Sequence, residues 1–155
     1  MSTINMEMAG ATLVEAFEFP VERGKIKEFS NAIMDSNRMY LDREYARSRG
    51  YGDVIAPVTY PVSVALHMPS ENAVLEGMLK LGMDPAKSVH GEVEFKYERP
   101  IVAGESLSVT VTVGKIDRKE GKRGGLMTMV EIFFNYKDKN GKQVCTVKNL
   151  FIERG

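Results

Sequence analysis

The sequence predicts an α+β domain in which a curved, antiparallel, five-stranded sheet wraps one buried central helix. Three observations carry this expectation. From Val89 onward, apolar and polar residues alternate with period two over several segments. Val54 to Pro69 contains no Asp, Glu, Lys or Arg, which marks it as interior. Leu13 to Phe19 alternates more weakly ahead of the helical stretches, so the order is strand, helices, then four strands.

Taken in order, residues 1–10 lack the basic and apolar regions of a signal peptide and read as a flexible N-terminal tail. Residues 11–155 then form a single domain. After the first strand, Val21 to Met34 places Ile26, Phe29 and Ile33 on one helical face. Asp35-Ser36-Asn37 ends that helix, and a short helical patch from Asp42 to Ser48 runs into the Gly50-Tyr51-Gly52 turn. Ala56-Pro57 is an extended lead-in to a helix over Val58 to Met68, buried on all sides, with Pro61 tolerated in its first turn. An aspartate at Val64 or Leu66 is therefore expected to cripple folding. Asn72 to Leu81 suggests a second amphipathic helix or a partly ordered flap.

Val93, Phe95 and Tyr97 alternate with charged residues, as Leu107, Val109, Val111 and Val113 alternate with Ser and Thr. Leu126 to Tyr136 and Gln143 to Ile152 supply two more strands across Lys139-Asn140-Gly141, whose Asn-Gly pair is a strong hairpin signal.

A chain of 155 residues can bury roughly two-thirds of its unfolded surface in one core. Its 21 basic and 21 acidic residues balance, so no net field draws it to nucleic acid or an anionic membrane. The uncharged segment is too short to span a bilayer. A single cysteine, Cys145, excludes an intramolecular disulfide framework and fits a reducing, cytoplasmic setting. With only His67 and His90 besides it, Cys/His metal-ligand spacing is absent and no metal or cofactor is expected.

Three segments bring a resemblance. Asp35-Ser36-Asn37-Arg38-Met39-Tyr40-Leu41-Asp42 is similar to the Asp-x-Asn-Pro-x-His-x-Asp motif of the MaoC-like hydratases and dehydratases, which have the hot-dog fold. Asp35, Asn37 and Asp42 match, whereas Arg38 replaces the proline and Tyr40 the histidine. Tyr51-Gly52-Asp53-Val54-Ile55-Ala56-Pro57 resembles the lead-in to that family's central helix. His90 to Phe95 with Arg99 to Glu105 resembles its first long strand and following turn. The likeness spans Phe17 to Glu153 and is greatest to the dehydratase-like N-terminal half and to the partner subunits of heterodimeric hydroxyacyl dehydratases.

That resemblance implies a site. Hydrating a 2-enoyl thioester needs a base for water, an acid for the α carbon, and donors for the enolate-like oxygen. By analogy Asp35 is the water-binding acid and Tyr40 stands where the catalytic histidine is missing. Asn37, Pro57, Val58 and Thr59 then line the substrate, with the Val58 or Thr59 amide near the oxyanion. A phenol with an ordinary pKa near ~10 is a poor base at neutral pH. The implied ligand is an acyl-CoA or acyl-carrier-protein thioester. The implied partner is a MaoC-like subunit with the intact Asp/His pair, or a second copy of this chain. A self-sufficient hydratase using Asp35 with Tyr40 or His67, and a non-enzymatic thioester-binding module, stay open.

Plainer readings stand beside these. Asp35-Ser36-Asn37 is also what a helix terminus uses for side-chain-to-backbone bonds. His67 and His90 read as packing residues, and Cys145 as a small buried hydrophobe. Ten methionines are many for this length; Met68, Met78, Met83, Met127 and Met129 either fill core or face a channel. Lys115, Arg118, Lys119, Lys122 and Arg123 surround a hairpin tip, as a solvated loop or a contact for coenzyme phosphates.

Overall fold

The fold follows from where the apolar halves of the alternating strands can be covered. In the computed structural model, which describes residues 4–121 and 125–155, five strands form one antiparallel sheet in the order β1-β3-β4-β5-β2. They are β1 (Thr12–Pro20), β2 (Ser88–Tyr97), β3 (Ser106–Glu120), β4 (Leu126–Lys137) and β5 (Gln143–Arg154). The longer helical segments are α1 (Arg23–Ala32), α2 (Arg38–Leu41), α3 (Arg43–Ser48), a central 3₁₀ helix (Tyr60–His67) and α4 (Ala73–Lys80), with short 3₁₀ turns at Met6–Met8 and Pro85–Lys87. This is the hot-dog arrangement. No helix among the described residues is long and apolar enough to cross a membrane. Lys122 and Arg123, two members of the basic hairpin cluster, lie outside the described residues.

Period-two sequence becomes structure most directly in β3, where Leu107, Val109, Val111 and Val113 are all buried. A bulge follows between Val113 and Ile116. Gly114 sits in it because a Cβ there would lie 2.2 Å from the Phe133 ring. Between β4 and β5, Gly141 adopts φ +76° and donates its N–H to the Asp138 carbonyl at 2.9 Å, so the Asn140-Gly141 signal does mark a turn.

Helix α1 stops two residues before the predicted Met34. Its end is a Schellman motif: the Met34 N–H bonds the Asn31 carbonyl at 3.1 Å and the Asp35 N–H bonds the Ser30 carbonyl at 2.9 Å. Met34, at φ 57°, occupies the left-handed position usually given to glycine. Ile26 and Phe29 face the core as expected, but Ile33 lies beyond the helix and is exposed.

Residues 4–10, read from sequence as tail, are seated rather than loose. Ile4 is buried, the Asn5 N–H bonds the Leu81 carbonyl at 3.0 Å, and the Gly10 N–H bonds the Val113 carbonyl at 2.9 Å. The apolar residues Ile4, Met6 and Met8 alternate with Asn5 and Glu7, a short periodic signal that the reading of these residues as a tail leaves unused.

The central helix departs from expectation in type and in burial. It is a 3₁₀ helix, and with three residues per turn its inward positions recur every third residue: Pro61 and Val64 are buried and His67 is half-buried. Val58, Val62 and Leu66 point outward and are exposed, Leu66 by 85%. The segment is buried on one side only, because the sheet curls round one face of it. Leu66→Asp should accordingly leave the stability of the isolated chain within about 0.5 kcal/mol of wild type. Urea unfolding measured by circular dichroism checks this.

Two apolar clusters hold the layers together. One surrounds the central helix, with Phe19, Ile26, Tyr60, Val64, Tyr136 and Val147. The other lies towards α4 and includes Leu81, Met83, Val111, Val130 and Ile132. Phe17 and Phe134 pack against both.

Candidate functional site

The stretch from Asp35 to Asp42 is built as a chain of caps. Asp35 Oδ1 accepts the Asn37 N–H at 3.0 Å, Asn37 Oδ1 accepts the Met39 N–H at 3.0 Å, and Asp42 Oδ1 accepts the Tyr45 N–H at 2.9 Å. Short polar side chains bonding the backbone two or three residues on are what start α2 and α3 here. Arg38, in the place of the proline, reaches back to Asp42 at 2.6 Å and lies over the Tyr45 ring, 4.2 Å from its centre. These caps deliver Tyr40 to the interior side of α2, packed against the main core cluster.

Tyr40 shares a surface pocket with Ile55, Ala56, Val58, Tyr97, Arg99 and Pro100. Burial raises the Tyr40 phenol above its ordinary pKa, and the charge of Asp35 adds to the rise. Tyr97 is raised too, chiefly by burial and then by Cys145. Its hydroxyl donates to the Val58 carbonyl at 2.8 Å. Both phenols are thus donors at neutral pH. Beneath them, burial pushes the Cys145 thiol up to about 11, so it behaves as the apolar filler the sequence suggested.

The start of the central helix is fixed from two strands at once. Tyr97 on β2 holds the Val58 carbonyl, and Tyr136 on β4 donates to the Pro61 carbonyl at 2.8 Å in the buried core. Among the described residues, no hydrogen bond uses the Val58 or Thr59 N–H, and Val58 is exposed. Of the sequence-derived candidates, Tyr40 and Val58 share the pocket. Asp35, Asn37, Pro57 and Thr59 are not among its lining residues, and Pro57 is buried. Tyr97 and Arg99 were missed. The alternation of β2 marked Tyr97 only as inward-facing, and nothing local shows which loop its hydroxyl will meet.

The histidines stand elsewhere. His67 packs edge-on against Phe19, ring centres 5.2 Å apart, and His90 stacks on Phe151 at 4.8 Å. A second, almost wholly apolar cleft lies between α4 and the sheet, with Leu13, Val14, Met68, Gly77, Met78 and Met83 among its walls. Three of the five methionines singled out from sequence line it; Met127 and Met129 are half-buried on β4 instead.

Comparison with known proteins places this geometry. Residues 7–147 match the FAS1-like, dehydratase domain region family. The chain belongs to that family. It is similar to a UPF0336 protein of Clavibacter michiganensis subsp. michiganensis, 36% identical over 152 residues that cover 98% of this chain and 97% of the relative. Among solved structures, a MaoC-like dehydratase superposes with TM-score 0.73 at 23% identity, covering 94% of this chain and 42% of that one. The HadBC (3R-hydroxyacyl-ACP dehydratase) complex of Mycobacterium tuberculosis gives TM-score 0.71 at 18% identity, covering 94% and 96%. The dehydratase family domain therefore has the MaoC-like hot-dog fold, as the resemblance of its motifs implied.

Proposed function

We propose that this dehydratase-family chain is the acyl-thioester-binding subunit of a (3R)-hydroxyacyl-thioester dehydratase or 2-enoyl-thioester hydratase, completed by a MaoC-like partner bearing the Asp/His pair. Tyr40 carries the reading. In hydration, water adds its oxygen to C3 while a proton reaches C2, so one group must take a proton and another give one. A half-buried phenol raised above its ordinary pKa gives a hydrogen bond but does not take a proton near neutrality. The Asp35 carboxylate already accepts the Asn37 N–H. What the pocket retains is binding: the Tyr40 phenol as a donor, Val58 among its lining residues with no hydrogen bond on its N–H, and apolar walls for a thioester. The methionine-lined cleft suits an acyl tail.

Two surfaces support a partner. Strand β2 is a sheet edge, paired among the described residues with β5 alone, and exposes Val89 and Val93. Val58, just ahead of the central helix, and Val62 and Leu66 on it are exposed apolar residues. The HadBC neighbour is itself a complex of dehydratase subunits. A second copy of this chain would cover the same surfaces, yet it would bring another Tyr40 in place of the motif histidine.

The test uses enoyl thioesters. Alone, the chain should give no hydration above background, and adding a MaoC-like partner with an intact Asp/His pair should restore turnover. Turnover by the chain alone that Asp35→Asn abolishes overturns the proposal in favour of a self-sufficient hydratase. Thioester binding with no gain on adding the partner overturns it in favour of a non-enzymatic module.

A further inference from the structure

Asp53 is a buried carboxylate outside the pocket, and its contacts are unusually directed. Its two oxygens accept a fork from Arg23, Nε to Oδ1 at 2.8 Å and the terminal nitrogen to Oδ2 at 2.6 Å. Arg43 Nε adds a contact to Oδ2 at 3.1 Å, and the Val54 N–H donates to Oδ1 at 2.8 Å. Arg23 is the first residue of α1 and Arg43 the first of α3. Cations at helix N-termini oppose the helix dipole, so both arginines are misplaced unless an anion sits between them. One carboxylate supplies that anion and binds the first residues of α1 and α3 to the loop leading into the central helix.

The arm also buries Ile26 and Ala46 in the main cluster. Apolar contact is non-directional and leaves the arm free to slide or rotate. A bidentate guanidinium–carboxylate pair fixes both distance and orientation. Between the two anchored helices lies α2, whose Tyr40 must fall within the pocket beside Val58 and Tyr97. The backbone bond from the Ile55 N–H to the Met39 carbonyl, 3.1 Å, joins α2 to the same loop two residues after Asp53.

We infer that Asp53 is a positioning residue: by clamping Arg23 and Arg43 it sets the α1–α3 arm on the domain and so places Tyr40 in the pocket. The clamp stands on its own geometry; only its bearing on thioester binding rests on the function proposed above.

The experiment compares full-length wild type with Asp53→Asn. Amide exchange across residues 23–48 should quicken about tenfold while β3, β4 and β5 stay within about twofold. In ¹³Cζ-tyrosine spectra the Tyr40 titration should move back towards that of free tyrosine, with Tyr136 unmoved, and the affinity for a saturated acyl-CoA should fall about tenfold. Arg43→Gln, which keeps the Arg23 fork, should show the same regional pattern at about threefold, and it carries the test if Asp53→Asn does not fold. Unchanged exchange in the arm, acceleration throughout the chain, or an unmoved Tyr40 overturns the inference. If wild type binds no thioester while the exchange and Tyr40 results hold, the proposed function fails and the clamp stands.

Discussion

Val64→Asp should remove most of the stability of this domain. Val64 is 5% exposed and faces the main cluster from the inner side of the central helix. An aspartate there either carries an unpaired charge into an apolar core or is protonated at the expense of its solvation, and among the described residues no Lys or Arg is buried to pair with it. The expected loss is about 4 kcal/mol or more, set against roughly 5–15 kcal/mol of total stability for a domain. A collapse of the urea midpoint, or failure to accumulate as a cooperative folded species, is the result to look for. A midpoint close to wild type would mean that Val64 does not face the core. The contrast with Leu66→Asp, two residues away and expected to be nearly neutral, makes the pair a direct reading of which side of the helix the sheet covers.

Phe19→Ala should be comparably severe for a different reason. Phe19 is fully buried at the end of β1, with ring centres 5.7 Å from Tyr60, 5.2 Å from His67 and 5.6 Å from Tyr136. It is the ring that joins the central helix to both β1 and β4. Truncation leaves a cavity whose walls are aromatic and already braced by hydrogen bonds, such as that from Tyr136 to Pro61, so little relaxation is available. A loss of about 3–5 kcal/mol follows, measurable by the same urea transitions. A value below about 1 kcal/mol would show that the site collapses freely.

How much of this was legible beforehand depends on whether a feature is local. The strands were, because alternation is a property of neighbouring residues: Leu107 to Val113 signals its inward face without help from the rest of the chain. The order of elements was legible too, and with the Asp35–Asp42 motif it led to the fold. The burial of the central helix was only half legible. Absence of charge shows that Val58 to Met68 avoids charged groups, but hydropathy does not distinguish a side covered by the chain's own sheet from one left bare. Tyr97 meeting Val58, and Arg23 meeting Asp53, join residues 39 and 30 positions apart, and no periodicity records such pairings. The capping role of Asp35, Asn37 and Asp42 was readable in kind, since these residue types make such bonds. The Asn37 and Asp42 side chains start the helices that follow, whereas Asp35 closes α1 through its backbone N–H and accepts the Asn37 N–H with its carboxylate.

The two tyrosine bridges to the central helix have a consequence for assembly. Val58 is tied to β2, the strand on the sheet's open edge, whereas Pro61 is tied to β4 in the middle of the sheet. Under the function proposed above, a chain docking along that edge would bear, through one phenol, on a residue that lines the pocket, while the Tyr136 bond holds Pro61 to β4. Under that proposal, docking and ligand binding would both bear on Val58. Since coupling between two binding events is reciprocal, a ligand that draws Val58 towards itself changes the grip of the sheet edge by the same factor with which the docked chain changes the grip on the ligand.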